Sequence, residues 1–311
     1  MTTSAQPLVT IVTPTFNQAQ YVAETIESVL TQTYPNIEYI VLDDGSTDDT
    51  KRVLEPYKDR AHIESQANMG QARTLNKGWA AARGTYLAYL SSDDILYPDA
   101  IARLVQALED DPTRVCAFPD CDLIDQTSSV IKRNVCRPFD LADLVIRQEC
   151  YIGPGAVFRR DAFEQAGGWK PELRLAPDRE FWIRLARYGS FHFVPETLAG
   201  YRMHPRSISY SDVSEQTSME YLHVLDSYFA TPDVPAEIAA RKDEAYGHAL
   251  FVLARNAFRS GRLSRGNHFY RQACERHPPL RAAGYKLRLV RNVVSKPARI
   301  ALYRIRTLMK G

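Results

Sequence analysis

The chain alternates short, continuous apolar runs with segments whose apolar residues recur at helical spacing. Leu8 to Thr13 is a β-branched run, and after it Val22, Ile26, Val29 and Leu30 share one face of a helix. Ile37 to Leu42 predicts a second strand, broken by the Gly, Ser and Thr of Asp43-Asp-Gly-Ser-Thr-Asp48, and Val53, Leu54 and Tyr57 predict a short helix. Ala72, Leu75 and Trp79 form the apolar side of a further helix, which Gly84 is expected to stop before a third strand, Tyr86 to Leu90. That strand delivers Asp93 and Asp94, and beyond Pro98 the residues Ile101, Leu104, Val105 and Leu108 mark the next helix. Strands that are apolar throughout are covered on both faces, so the alternation predicts a parallel sheet with ligands beyond its strands' carboxyl ends.

The alternation weakens after Val115 to Phe118, where Asp120, Asp122 and Asp125 read as a loop and Gly153 to Phe158 as another strand, so a mixed sheet is expected. Asp178 to Tyr188 predicts a helix with Phe181, Trp182 and Leu185 inward, and Phe191 to Phe193 a short extended piece ended by Pro195. From about Ser214 the pattern is helical almost throughout, and Ala245 to Ala257 with Arg262 to Arg276 predict a helical hairpin joined at Ser260-Gly261.

Composition adds few surprises: 311 residues, 45% hydrophobic and 24% charged, fit a soluble globular protein of one large domain plus an appendage. The formal charge of +2 hides an asymmetry, because residues 281–311 carry nine Lys or Arg and no Asp or Glu. The remainder is therefore acidic, at about −7. Five cysteines, an odd number without a Cys-x-x-Cys pair, suggest neither a disulfide framework nor a zinc site. With no leader-like N-terminus and no apolar run of bilayer length, the expected location is the cytoplasm.

Adjacent carboxylates at a buried strand end repel each other, and desolvation adds to that cost, so Asp93 and Asp94 call for a counter-ion. A divalent cation carrying a phosphate ligand would supply one. There is no Gly-x-Gly-x-x-Gly after the first strand, no P-loop and no His-Glu-x-x-His, which argues against dinucleotide oxidoreductases, P-loop NTPases and zinc hydrolases.

In order along the chain stand Pro14-Thr-Phe-Asn17, Asp43-Asp-Gly-Ser-Thr-Asp48, Asn68-x-Gly-x-Ala72 and Ser92-Asp-Asp94. Gly167-Gly-Trp169, Asp178-Arg-Glu-Phe-Trp-Ile-Arg184 and Tyr201-Arg-Met-His204 follow. This ordered set resembles the inverting family 2 glycosyltransferases of bacterial surface-polysaccharide assembly, over about two-thirds of the chain. The resemblance implies an α/β GT-A fold, a Rossmann-like mixed sheet with helices on both faces. It also implies a catalytic domain over 1–213, with a nucleotide-binding half (1–110) and an acceptor-binding half (111–213), and a helical region with a basic tail over 214–311. The Gln-x-x-Arg-Trp motif of the family's processive synthases is missing, so a soluble enzyme that adds one sugar or a few is expected.

The resemblance also implies roles. Asp44 would accept a hydrogen bond from the nucleotide base, with Phe16 stacked on that base and Pro14 and Asn17 in the same loop; the plainer reading of Asp43 and Asp44 is a helix cap. Arg73 would reach the ribose or diphosphate, or is simply a solvated helix-surface residue. Asp93 would contact the ribose and Asp94 the cation, Mg²⁺ or Mn²⁺, although Ser92 stands where a more common form of the motif has a further acid. His204 would help hold the cation or diphosphate, with Arg202 near the same phosphate. Asp178 aligns with the base that takes the acceptor hydroxyl's proton; Pro177 replaces the usual preceding Glu, and Glu180 is a rival carboxylate.

The implied partners are a UDP- or dTDP-linked sugar donor and a glycan or lipid-linked acceptor. In the tail, Leu287, Val290 and Val294, then Ala301, Ile305 and Leu308, recur at helical spacing among basic residues. That pattern suits peripheral contact with an anionic membrane, such as the inner face of the plasma membrane, or a helix pair packed on the protein. Nucleic-acid binding is not expected, because aromatic interleaving is sparse. Two rival functions stay open: a nucleotidyltransferase, and a non-catalytic nucleotide-sugar-binding or interaction protein.

Overall fold

The structure, a computed structural model, describes residues 6–204, 207 and 213–290. The chain divides into two compact units: residues 1–140 with 150–207, and residues 141–149 with 208–311. In the first, β1 (Val9–Thr15), α1 (Val22–Leu30), β2 (Ile37–Asp43), α2 (Thr50–Leu54), β3 (His62–Ser65), α3 (Gln71–Ala81), β4 (Tyr86–Tyr89), β5 (Ile95–Leu96) and α4 (Ala100–Glu109) follow one another, the expected alternation with β3 and β5 added to it. Then come β6 (Arg114–Ile124), β7 (Val130–Lys132), α5 (Leu141–Val145, in the second unit), β8 (Val157–Arg159), α6 (Arg160–Ala166), α7 (Pro177–Leu185) and β9 (Ser190–Arg202).

One sheet runs β3-β2-β1-β4-β8-β6-β9-β5, with β7 beside β6. Strands β3, β2, β1 and β4 are parallel, and β8 enters antiparallel between β4 and β6. All seven residues of β1 are buried, so both faces are covered. Val9 and Ile11 pack with Val22 and Ile26 of α1 and Leu104 and Leu108 of α4. On the other face α3 lies so close to the sheet that a Cβ on Gly78 would meet Val12 at 2.4 Å. The architecture is the α/β mixed sheet that the apolar strand runs predict.

Three details differ from the sequence-based expectation. Asp120 and Asp122 lie within β6 and are buried, not in a loop. Asp120 is stabilised there by accepting the N–H groups of Cys121 (2.8 Å) and Cys136 (3.0 Å) and the Asn134 amide (2.9 Å), so a buried carboxylate ties β6 to the segment that follows β7. Pro195 does not end the last strand: β9 continues to Arg202, and the register slips so that Pro119 opposes Val194 and Asp120 opposes Thr197. A bulge at that point needs no N–H from Pro195. Gly84 does not terminate α3, which ends at Ala81; a Cβ there would meet the Thr10 N at 2.5 Å, so its smallness serves close approach to β1.

The second unit contains α8 (Glu215–Ser218), α9 (Glu220–Phe229), α10 (Ala236–Ala239), α11 (Lys242–Arg259) and α12 (Leu263–Arg276). α11 and α12 form the expected hairpin around Leu253, Ala254, Ala257, Phe269 and Ala273, turning at Gly261 with φ +74°. Leu287 and Val290 are exposed, and the rest of the amphipathic basic tail, 291–311, lies outside the described residues. No helix among the described residues is long and apolar enough to cross a membrane.

Candidate active site

Parallel pairing brings the carboxyl ends of β2, β1 and β4 side by side, and the three loops that leave them form one surface. Asn17, at φ +54°, accepts the backbone N–H of Thr47 at 2.8 Å, and its own N–H donates to Ser46 Oγ at 2.9 Å, tying the β1 loop to the β2 loop. Gly45, at φ +82°, makes the turn between them where a Cβ would meet the Asn68 N at 2.9 Å. Asp44 is buried, and its carboxylate accepts Met69 N (2.8 Å), Gly70 N (2.9 Å) and Gln66 Nε2 (3.0 Å). Three of roughly four acceptor positions are thus filled by the loop that starts α3, leaving one for a ligand. Asp44 therefore holds in place the loop that starts α3. Phe16 is 46% exposed beside this loop, Pro14 is buried inside β1, and Arg73 is exposed on the first turn of α3.

At the end of β4, Asp94 is buried and its Oδ1 accepts the Arg202 N–H at 2.8 Å; among the described residues no donor meets Oδ2. Burial, followed by the like charge of Asp93, holds the Asp94 carboxyl well above the usual range, and Arg202 only partly opposes this. An oxygen donor set with this uncompensated charge fits a hard divalent cation, with Asp94 as the protein ligand nearest to hand. His204 pairs through Nε2 with Asp93 Oδ2 at 2.9 Å and lies against the Tyr21 ring at 4.7 Å, so it joins the Asp93 side of the pair.

Arg202 is not available to a phosphate. Its side chain is fully buried, and its guanidinium donates to the carbonyls of Asp93 (2.6 Å) and Asp125 (3.1 Å), to Ser128 Oγ (2.9 Å) and to Glu24 Oε2 (2.8 Å). It buttresses the acidic loop from behind.

Asp178 lies in the first turn of α7, after Pro177. Two contacts tie this helix to α3 through the Gly167-Gly-Trp169 loop. Asn76 of α3 makes a paired hydrogen bond with the Trp169 backbone (2.7 and 2.8 Å), and Arg184 of α7 donates to the carbonyls of Ala166, Gly167 and Gly168. A Cβ on Gly168 would meet Asn76 Oδ1 at 2.3 Å, which is why the Gly167-Gly-Trp169 motif needs its second glycine. Behind the loop Trp79, Tyr89, Phe158, Phe163, Trp169 and Phe181 form one aromatic cluster, with Tyr89 and Trp169 edge to face at 5.0 Å.

Asp178 keeps part of its surface open while protein crowds it. Burial raises its carboxyl's pKa, and the N–H and charge of Arg179 pull it back. The rival Glu180 is buried in a double ion pair with Lys170 (2.9 Å) and Arg184 (2.7 Å), so it is engaged in holding the helix. Tyr89, which the motifs did not single out, lies near both acids: burial, then the charge of Asp178, and further on that of Asp94, raise its hydroxyl's pKa well above the ordinary value. Its position in the run before the Asp pair was the only sequence signal for it.

Residues 10–167 match the sequence model of the family described as glycosyl transferase family 2. The chain belongs to that family. This glycosyltransferase is 33% identical over 215 residues, 67% of its own length and 83% of the relative's, to TuaG of Bacillus subtilis, a glycosyltransferase named for teichuronic acid biosynthesis. Among solved structures, S. aureus TarS 1–349, crystallised with UDP-GlcNAc, superposes with a TM-score of 0.61 at 15% identity, covering 88% of this chain and 92% of that one. The mannosyltransferase PcManGT of Pyrobaculum calidifontis, solved with GDP-Man and Mn²⁺, gives 0.59 at 19% identity, covering 94% and 89%. The glycosyltransferase thus has the GT-A fold.

Proposed function

We propose that this glycosyltransferase is a metal-dependent, inverting enzyme that moves one sugar from a UDP- or dTDP-linked donor to a glycan or lipid-linked acceptor in cell-surface polysaccharide assembly. The observation that carries this reading is the pair of carboxylates at the sheet's loop end: Asp94, buried after β4 next to the Asp93–His204 pair, and Asp178, in the first turn of a helix braced through Arg184. In the proposed site Phe16 stacks on the base, the remaining acceptor position of Asp44 takes its N–H, and Arg73 and Asn17 border the ribose and diphosphate. Asp93, held by His204, faces the ribose, while Asp94, with His204 near it, holds the cation. A bound Mn²⁺ or Mg²⁺ there offsets the charge of the leaving diphosphate. Asp178 takes the acceptor hydroxyl's proton as that oxygen attacks the anomeric carbon in line with the departing group.

Solved structures of the same fold support a nucleotide-sugar donor and a metal: TarS was solved with UDP-GlcNAc, which favours the uridine nucleotide, and PcManGT with GDP-Man and Mn²⁺. That of TuaG supports a polysaccharide pathway. The basic tail is proposed to meet the anionic membrane surface that carries a lipid-linked acceptor. Family membership argues against nucleotidyl transfer, and turnover separates the proposal from a non-catalytic binding protein. The test is nucleoside diphosphate release from a panel of nucleotide sugars with Mn²⁺ or Mg²⁺. One donor is expected to turn over and chelator to stop it; a donor that binds with metal but never turns over contradicts the proposal.

A further inference from the structure

We propose that the helical second unit carries a divalent transition-metal site of the zinc class, built from Glu244, His248 and His277 and separate from the donor site. The Glu and His ligand atoms of these three residues lie within 4.8 Å of one another. Glu244 and His248 stand one helical turn apart on the same face of α11, the spacing that presents two ligands to one ion. His277 comes from the turn that ends α12, so the site joins the two arms of the hairpin.

Three further observations point to a ligand here. Among the described residues neither imidazole makes a hydrogen bond, although His248 is buried and its ring faces that of His277 at 5.4 Å. Each ring therefore keeps a nitrogen free of protein donors and acceptors, and an ion shared between the two would take both. Gly247 is what lets His277 come so near: a Cβ there would meet the His277 Cβ at 2.6 Å. On the outer side, Arg241 grips both oxygens of Glu244 at 2.9 and 2.8 Å, the kind of outer partner that orients a ligating carboxylate while leaving lone pairs on its other side. Arg147 and Glu149 also act on His248, with opposite signs, so they add little net charge.

Two imidazole nitrogens and one carboxylate suit Zn²⁺, which takes nitrogen at about 2.0–2.1 Å and fills a fourth position with water. Tetrahedral ligands at that bond length sit roughly 3.4 Å apart. Side-chain rotation covers the difference. The ion would then act as a brace between α11 and the end of α12.

The experiment is calorimetric titration of the full chain, free of any histidine tag, with Zn²⁺ alone, followed by Co²⁺ and its visible absorption as a probe of tetrahedral nitrogen–oxygen ligation. One equivalent is expected to survive Asp94→Ala. Its affinity should fall roughly tenfold or more in His248→Ala, His277→Ala and Glu244→Gln, and should recover in His277→Cys, which restores a ligand. Unchanged circular dichroism keeps these variants interpretable, and Glu244→Gln, half-buried at the helix surface, serves if a histidine variant fails to fold. Wild-type Zn²⁺ affinity in His248→Ala, His277→Ala and Glu244→Gln, or loss of all binding with Asp94→Ala, overturns the proposal; because sugar transfer is not the readout, the proposed activity can fail or hold independently.

Discussion

Removing the guanidinium behind the acidic loop is expected to damage both the fold and the donor site. Arg202 is fully buried and sends hydrogen bonds to Asp93, Asp125, Ser128 and Glu24 from a position 5.0 Å over the Tyr21 ring. In Arg202→Met, Glu24 regains water, because its side chain is already 45% exposed, but the Asp93 and Asp125 carbonyls lose their inward donors. Hydrogen bonds to a charged group contribute about 1.5–3 kcal/mol each. Breaking a buried pair from one side costs about 3–5 kcal/mol. At about 2–4 °C per kcal/mol for a unit of this size, melting should fall by roughly 10 °C. The second effect is local: with the Asp93 carbonyl unanchored, affinity for Mn²⁺ with nucleoside diphosphate should fall by roughly tenfold or more. Arg202→Lys should behave nearly as badly, since one ammonium cannot span the acceptors of a planar fork. The assays are thermal unfolding by circular dichroism and calorimetric binding of nucleoside diphosphate. If Arg202→Met melts like the wild type, or if Arg202→Lys restores both stability and affinity, the buttress argument is wrong and Arg202 contacts the phosphate after all.

Asp44→Ala leaves the Met69 and Gly70 N–H groups without their acceptor; we expect a loss of about 1–3 kcal/mol in urea unfolding together with weaker nucleotide binding, and unaltered binding would count against the proposed base pocket. Because the Asp178 pKa is raised and the base acts only when ionised, kcat/KM should fall with decreasing pH at a higher value than an ordinary Asp, near about 3.9, would give. A pH profile flat down to that value would remove Asp178 from the role. Glu180→Gln should lower the melting temperature, through the lost Lys170 and Arg184 pairs, yet keep the acid limb of that profile in place. Movement of the limb in this variant would make Glu180 the base.

Much of the first unit was legible because its central strands are buried on both faces. Val9 to Val12, Tyr39 to Leu42 and Tyr86 to Ala88 are apolar or β-branched without a break, and the loops after them had to carry the chemistry. β3 was missed because it is an edge strand whose His62 and Ser65 face solvent, so it lacks the apolar run that marks its neighbours. Asp120 and Asp122 misled in the opposite direction, since a carboxylate inside a strand is readable only when its partners, Asn134 and Arg133, are brought across the turn. Within the candidate site, the individual acids were visible but their division of labour was not. Glu180 and Asp178 are near neighbours in sequence, and what separates them is Lys170. Arg202 looked like a phosphate ligand until its partner Glu24, 178 residues away, was in place. The Glu244, His248 and His277 group had no motif, because its third member reaches α11 only through the hairpin.

Steady-state release of nucleoside diphosphate, with donor affinity measured alongside, compares wild type and Asp178→Asn under saturating Mn²⁺ and is the most direct test of the central claim. Asp178→Asn is expected to bind donor as the wild type does but to transfer sugar at least about a hundredfold more slowly, the scale of a lost general base. Transfer at the wild-type rate by Asp178→Asn, with intact donor binding, would contradict that claim.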